Sequence, residues 1–253
     1  MDMLSKNRIK WLQSLTKKKV RDEEGLFFAE GAKLVDDLYL AFVCHSIYAT
    51  EEYFSESGSR TSGGEERFVV SKEDLKKISV QCAPQSVFAV FQKRSCEFSP
   101  QLLSDKLSLA LDTVQDPGNL GTIIRIADWF GIEHIICSRE TVEAYNPKVV
   151  QATMGALGRV HVHYADLEKI LSEIDMPIYG TFLEGKDIYR EELSRSGIIV
   201  MGNEGNGISD DVKKFVSKKL YIPNFPVGRI TSESLNVAVA TAITCSEFRR
   251  RAY

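Results

Sequence analysis

Apolar positions along this chain follow two different periods. Leu4, Ile9, Trp11, Leu12 and Leu15 punctuate an otherwise basic stretch and supply one side of a short helix over residues 4–15. From residue 26 onward, short runs of β-branched and aromatic residues take over. They predict strands over 26–29, 46–49, 68–70 and 86–91, with a helix over 32–40 between the first two. Ser71, followed three residues later by Asp74, reads as the capping start of another short helix. Alternation of strands and helices is the pattern of an α/β layer.

The pattern then lapses and resumes. Residues 55–66 hold no large apolar side chain and three glycines, which predicts a surface loop. Residues 93–106 are polar around Pro100 and read as a linker. The chain is thus expected to divide into a small α/β domain over 1–92 and a second domain over 107–253. Strands are predicted in the second domain over 107–111, 134–137, 159–163, 178–182, 198–201 and 220–222. Helices are predicted over 117–130, 147–157, 209–216 and 234–250, the first opened by Pro117, whose ring suits a first helical turn.

Composition narrows the class. The 253 residues are 43% hydrophobic and 26% charged, the mix of a soluble globular protein. The apolar run at 198–201 is far short of the ~18 residues a membrane span needs. The N-terminal stretch has no apolar core of the secretory kind. Five scattered cysteines (Cys44, Cys82, Cys96, Cys137 and Cys245) include no C-x-x-C pair, so a reducing, cytoplasmic setting is expected and a disulfide framework is not. His134 and Cys137 form one H-x-x-C pair. A zinc site takes about four ligands, so no metal is expected.

Charge changes the picture in one place. The net charge is −3, yet residues 1–21 carry seven cations against Asp2 alone, and this local +6 leaves −9 for the remainder. A basic patch on an acidic body suits phosphate binding. A solvated helix face with a charged turn explains it as well.

Three constellations carry candidate chemistry. The first runs from Asp116 to Arg125. Leu120, Ile123, Ile124, Ile126, Ala127 and Phe130 share one broad apolar face, Arg125 lies on the other side, and Asn119 sits near the helix start, where free N–H groups favour anions. Gly121 costs a helix about 1 kcal/mol against alanine, and would let something approach the backbone beside Arg125. An amphipathic helix with a solvent-exposed arginine explains the same spacing. The second constellation is the turn from Met201 to Gly207, with Glu204 in its middle. Its glycine spacing reverses the Rossmann fingerprint and it comes late in the domain, so a dinucleotide loop is rejected. The third is Ile222-Pro223, followed by Ser234, Leu235 and Asn236 at the head of a helix rich in small residues. Ser234 and Asn236 could cap that helix or face a ligand.

In this order, Asn119-Leu-Gly-x-x-x-Arg125, Gly202-Asn-Glu-x-x-Gly207 and Ile222-Pro223 with Ser234-Leu-Asn-Val-x-x-Ala240 resemble the three motifs of the SpoU (TrmH-type) RNA 2′-O-methyltransferases of the SPOUT superfamily. The resemblance covers 107–253. The N-terminal part is similar, less specifically, to that family's ribosomal-protein-like substrate-binding domain, through residues 26–34 and 83–87.

The resemblance implies an α/β domain whose C-terminal segment is threaded into a deep trefoil knot, S-adenosylmethionine held in that knot, and a homodimer with its active site at the interface. Carried over by position, the cofactor residues are Thr181, Phe182, Gly202, Asn203, Glu204, Gly205, Ile222 and Leu235, and the catalytic set is Arg125, Asn119, Glu204, Ser234 and Asn236. Lys17, Lys18, Lys19 and Arg21 are the expected RNA contacts. The segment between Pro223 and Ser234 is a few residues longer than the family's common spacing. The implied activity is methylation of a ribose 2′-hydroxyl, of ribosomal rather than transfer RNA by analogy. A non-catalytic RNA-binding relative and a base methyltransferase on the same fold stand as alternatives, although a binder has no need of all five polar residues.

Overall fold

The computed structural model describes residues 4–56, 64–94, 98–226, 229–230 and 232–251. They form two compact units. The first combines residues up to 94 with 143–159, and the second combines 98–142 with 160–251.

In the first unit the chain runs through α1 (Lys6–Ser14), α2 (Lys18–Glu24), β1 (Leu26–Glu30), α3 (Ala32–Tyr39), β2 (Cys44–Ala49), α4 (Glu51–Glu56), β3 (Glu66–Val69), α5 (Lys72–Ile78) and β4 (Val87–Gln92). Helix ends follow local chemistry. Ser5 and Ser71 accept backbone N–H groups at the starts of α1 and α5, and Gly25 closes α2 in the left-handed conformation. The strands pair in the order β1-β4-β2-β3, antiparallel except for β2 with β3. All five residues of β1 are buried, so both faces of this strand are covered. Phe28 faces a core with Leu12 and Leu15 before it and Leu75 and Ile78 after it in the chain. Phe27 faces the other way, against Phe42, Phe91 and Tyr145.

The second unit continues with β5 (Leu107–Leu111), α6 (Pro117–Trp129) and β6 (His134–Cys137). After α7 (Pro147–Thr153), which belongs to the first unit, come β7 (His161–Tyr164), α8 (Leu167–Ser172), β8 (Ile178–Asp187), β9 (Gly197–Met201), α9 (Asp210–Lys213), β10 (Lys218–Tyr221) and α10 (Val237–Arg250). Six parallel strands form one sheet in the order β10-β8-β9-β5-β6-β7. β5, β6 and β9 are buried throughout, which is why their sequences read as nearly unbroken apolar runs. The chain steps outward from β5 through β6 to β7, then restarts on the other side of β5. Ligands of open parallel sheets settle beyond the carboxyl ends of the strands at such a switch point. Helices α6 and α10 pack side by side. At one end Asn236 donates to Asn119 (2.9 Å), and at the other the Arg249 guanidinium donates to the carbonyls of Phe130 (2.7 Å) and Gly131 (3.0 Å).

The structure departs from the sequence pattern most clearly in three places. Residues 143–159 pack with the first unit, within what reads as the second domain: Tyr145 sits on Phe27, and α7 lies along β1. The helix expected over 147–157 stops at Thr153, because Met154 and Gly155 turn left-handed there (φ 50° and 89°). A Cβ at Gly155 would lie 2.5 Å from the Asp37 carboxylate, so only glycine permits that approach. The closing helix begins at Val237 rather than at 234, because Asn236 caps it, accepting from Ala238 (2.9 Å) and Val239 (3.3 Å). Residues 57–63 of the expected surface loop, Cys96, and residues 227, 228 and 231 of the long loop before Ser234 lie outside the described residues.

Candidate active site

The carboxyl ends of β8, β9 and β10 and the approach to α10 enclose a cavity of about 530 Å³, within the range of roughly 300–1,000 Å³ for small-molecule sites. Thr181, Phe182, Gly202, Asn203, Glu204, Gly205, Ile222 and Leu235 all line it, and so does Ser234. Residues more than fifty positions apart thus share one wall.

The 202–208 turn is built to stay open on one side. Asn203 and Gly207 exchange two backbone hydrogen bonds of 2.9 Å. The Asn203 side chain accepts from the N–H groups of Gly205 (2.9 Å) and Asn206 (3.0 Å) and donates to the carbonyl of Thr113 (2.7 Å). At Gly202 the backbone of Gly207 passes so close that a Cβ would stand 2.2 Å from its carbonyl carbon. Thr113, which receives the Asn203 amide, has φ 60°. A β-branched residue there is strained by on the order of 1–3 kcal/mol. In this conformation its carbonyl accepts the Asn203 amide.

Glu204 is the hub of the rim. Its carboxylate accepts from Asn119 Nδ2 (2.9 Å), from the Asp116 N–H (3.2 Å) and from the Gln115 N–H (3.4 Å). Asn119 Oδ1 in turn accepts from Asn236 Nδ2 (2.9 Å). The three motifs are therefore joined by one hydrogen-bonded relay, Glu204–Asn119–Asn236. Desolvation pushes the Glu204 carboxyl up, but the donated hydrogen bonds of Asn119, Asp116 and Gln115 outweigh it and leave it below its ordinary value. A carboxylate so held is a fixed acceptor and a poor proton-abstracting base.

Arg125 is exposed on α6 and is not among the residues lining the cavity. Within one chain the structure gathers Asn119, Glu204 and Asn236, brings Ser234 to the cavity wall, and leaves Arg125 on the solvent side. Lys17, Lys18 and Lys19 are exposed around the start of α2. Arg21 corrects the expectation made for it. It is 1% exposed, donates to the carbonyls of Leu15 and Thr16 (2.9 Å each), and pairs with the Glu143 carboxylate. It closes the end of α1 from inside the unit and cannot reach a phosphate.

Several groups escaped the sequence pattern. Asp112 is buried and accepts the Ser209 N–H (2.7 Å), so it ties the end of β5 to the cap of α9. The Gln115 and Asp116 N–H groups that hold Glu204 carry no side-chain signal at all. Lys213 and Lys219 line the cavity against Phe182. His134 contacts His163, and among the described residues no group of three or more His, Cys, Asp or Glu is placed to hold a metal. No helix among the described residues is long and apolar enough to cross a membrane.

A parallel α/β sheet with a cavity over its strand ends, in a range that suits a small molecule, defines the class of an open α/β-sheet protein. The particular family follows from comparison. Residues 106–246 match the SpoU rRNA Methylase family, and residues 6–89 match the MRM3-like substrate binding domain. The chain is 30% identical over 248 residues, 96% of each chain, to the 23S rRNA (guanosine(2553)-2′-O)-methyltransferase RlmP of Bacillus subtilis. A TrmH-family structure from Porphyromonas gingivalis superposes with a TM-score of 0.88 at 40% identity, covering 99% of this chain and 100% of that one. An AdoMet-bound rRNA methyltransferase from Sinorhizobium meliloti superposes with a TM-score of 0.85 at 29% identity, covering 100% and 98%. The chain belongs to the SpoU rRNA methylase family.

Proposed function

We propose that this protein transfers a methyl group from S-adenosylmethionine to a ribose 2′-hydroxyl of ribosomal RNA. The observation that carries the reading is the cavity walled by residues from 181 to 240, with the Glu204–Asn119–Asn236 relay at its rim. Family membership and relatives named as rRNA 2′-O-methyltransferases support the substrate.

The residues fit the cofactor. Gly202 and Gly205 present bare backbone to the cavity, and Ile222, Leu235 and Phe182 give apolar surface for a purine. The cofactor supplies an electrophilic methyl carbon. The protein must place the ribose oxygen and ease loss of its proton. The relay keeps Asn119 and Asn236 in fixed rotamers. A neutral arginine is costly, since the pKa of that side chain exceeds ~12, so Arg125 acts through charge. It holds the RNA phosphate and stabilises the forming alkoxide, while the proton leaves to a phosphate oxygen, Ser234 or water. Because Arg125 faces solvent on α6, the complete site requires a second copy of the chain, with Trp129 (86% exposed) and Val239 (49%) available as apolar contacts. The C-terminal segment is threaded as the family's knot. Lys17, Lys18 and Lys19 track RNA phosphates and add salt-dependent affinity without base readout.

The test is incubation with methyl-labelled S-adenosylmethionine and ribosomal RNA or ribosomal particles that lack the modification, beside an Arg125→Ala variant. Label is expected in RNA with the parent protein only, at a site that resists alkaline cleavage. Labelled RNA that alkali still cleaves at the modified position would replace the ribose reading with base methylation.

A further inference from the structure

Strand β1 is an outer strand of the first unit's sheet, yet all of its residues are buried. The ladder with β4 shows which of its backbone groups point outward. Gly31 donates to the Val87 carbonyl (3.1 Å) and Lys93 to the Gly25 carbonyl (2.8 Å), so Phe27 and Ala29, in step with them, face β4. The N–H and C=O groups of Phe28 and Glu30 therefore face the open edge. Among the described residues none of these four groups has a hydrogen-bond partner, although both residues are only 3% exposed. Buried backbone groups are almost always paired.

A cavity of about 310 Å³ lies in front of them, wholly within the first unit. It touches Phe28, Ala29 and Glu30 in succession. Side chains of a strand alternate between its two faces, so a cavity of that kind runs along the strand's edge. Gln81 and Gln151 also line it, and Gln81 Nε2 donates to Gln151 Oε1 (3.0 Å). The Gln81 carbonyl oxygen and the Gln151 amide group are left as an acceptor and a donor with no partner among the described residues. Val80, Val150 and Ala152 supply apolar wall. The Glu30 carboxylate is already engaged: it accepts from the Val80 N–H (2.9 Å) and from Ser79 Oγ, and so fixes the segment that carries Gln81.

We infer that this cavity takes one unpaired purine base of the RNA. The inference rests on the methyl-transfer reading above and adds a base-reading site in a cavity separate from the cofactor's. A base has flat apolar faces and a hydrogen-bonding rim, which is open to protein in single-stranded RNA. Donors and acceptors alternating along a backbone edge suit its Watson–Crick side. The glutamine pair offers hydrogen bonds to a second side, which a purine has in its five-membered ring and a pyrimidine lacks. An extended peptide would pair with a longer run of strand than the three residues of β1 that the cavity reaches. Exposed Lys148, also in the lining, suits a nucleotide phosphate and repels a basic side chain.

The experiment measures Kd on the full chain for the pentaribonucleotides UUAUU, UUGUU and UUUUU and for the same chain with an abasic centre. The two purine probes are expected to bind about tenfold more tightly than the abasic probe, with UUUUU near the abasic value. Ala152→Leu fills the cavity with a good helix former. It is expected to bring every probe to the abasic level and to leave S-adenosylhomocysteine binding unchanged. In the parent protein, UUAUU is expected to shift the amide resonances of Phe28 and Glu30, and the abasic probe is not. Purine probes no tighter than UUUUU or the abasic probe overturn the inference, as do silent Phe28 and Glu30 amides or a purine preference that survives Ala152→Leu. If that variant fails to fold, the amide shifts in the parent decide. Methyl transfer without any purine preference removes the base-reading site and leaves the activity. Absence of both transfer and S-adenosylhomocysteine binding removes the methyl-transfer reading itself.

Discussion

Burial decides what a charged residue does, and Arg21 shows it against its neighbours. Lys17, Lys18 and Lys19 stay in solvent, whereas Arg21, four positions on from Lys17, turns inward to two carbonyls and the Glu143 carboxylate. Glu143 also takes Lys93 (2.8 Å), and Lys93 takes Asp22 (2.6 Å), so the arginine belongs to a small ionic network. Removing one member of such a network strands the others. Arg21→Met is expected to destabilise the protein by about 2–3 kcal/mol, read as a lowered midpoint in chemical denaturation, while RNA affinity at fixed folded fraction stays unchanged. Loss of RNA affinity without loss of stability would return Arg21 to the binding surface. The basic run was legible in the sequence. The inward turn was not, because the partner carboxylate lies 122 residues away.

Local chemistry sets where elements start, and neighbouring elements set what those starts do. Asn236 is the cap of α10 and also a donor to Asn119 across to α6. Loss of a capping side chain costs typically ~1 kcal/mol, and the inter-helix hydrogen bond adds about another. Asn236→Ala is therefore expected to cost about 2 kcal/mol of stability and to free the Asn119 amide. Asn236→Asp keeps the cap but loses the donor, and is expected to recover about half of the stability without restoring methyl transfer. Full activity in the aspartate variant would show that the cap alone matters. Strands β1 to β10 were legible because each contains a short apolar or alternating run, although β8 continues past its run to Asp187. Helices α2, α4 and α8 were not: each is six or seven residues long, too short for a periodic face to stand out.

Across the second unit, three of the four histidines stack on adjacent strands. His134 Nδ1 and His163 Nε2 are 3.1 Å apart in the interior, and His161 lies 5.5 Å from His134 by ring centroids. Burial, reinforced by the charges of His134 and His161, pulls the His163 imidazole down to about 4, and burial together with Lys106 lowers His134. The unfolded chain protonates its histidines near 6.5. Between pH 6.5 and 4 the unfolded state therefore binds a proton that the folded state refuses, and stability falls as pH falls, by on the order of 2–3 kcal/mol for His163. Above pH 6.5 this contribution is flat. The denaturation midpoint of the parent is expected to drop between pH 6.5 and 5 more steeply than that of His163→Asn, and equal slopes would show that His163 titrates normally in the fold.

The sequence by itself determined the alternation of strands and helices, the capping residues and the three motifs, because each depends on side chains within a few positions of one another. The eight residues carried over from the resemblance as the cofactor set lie in the wall of one cavity. Only the tertiary structure decided that residues 143–159 pack with the first unit, that Arg21 is buried, and that Glu204, Asn119 and Asn236 form one relay across separations of 85 and 117 residues. The physical reason is common to all three. Each outcome depends on which backbone groups and side chains come within about 3 Å of each other, and that is fixed by how the sheets and helices pack.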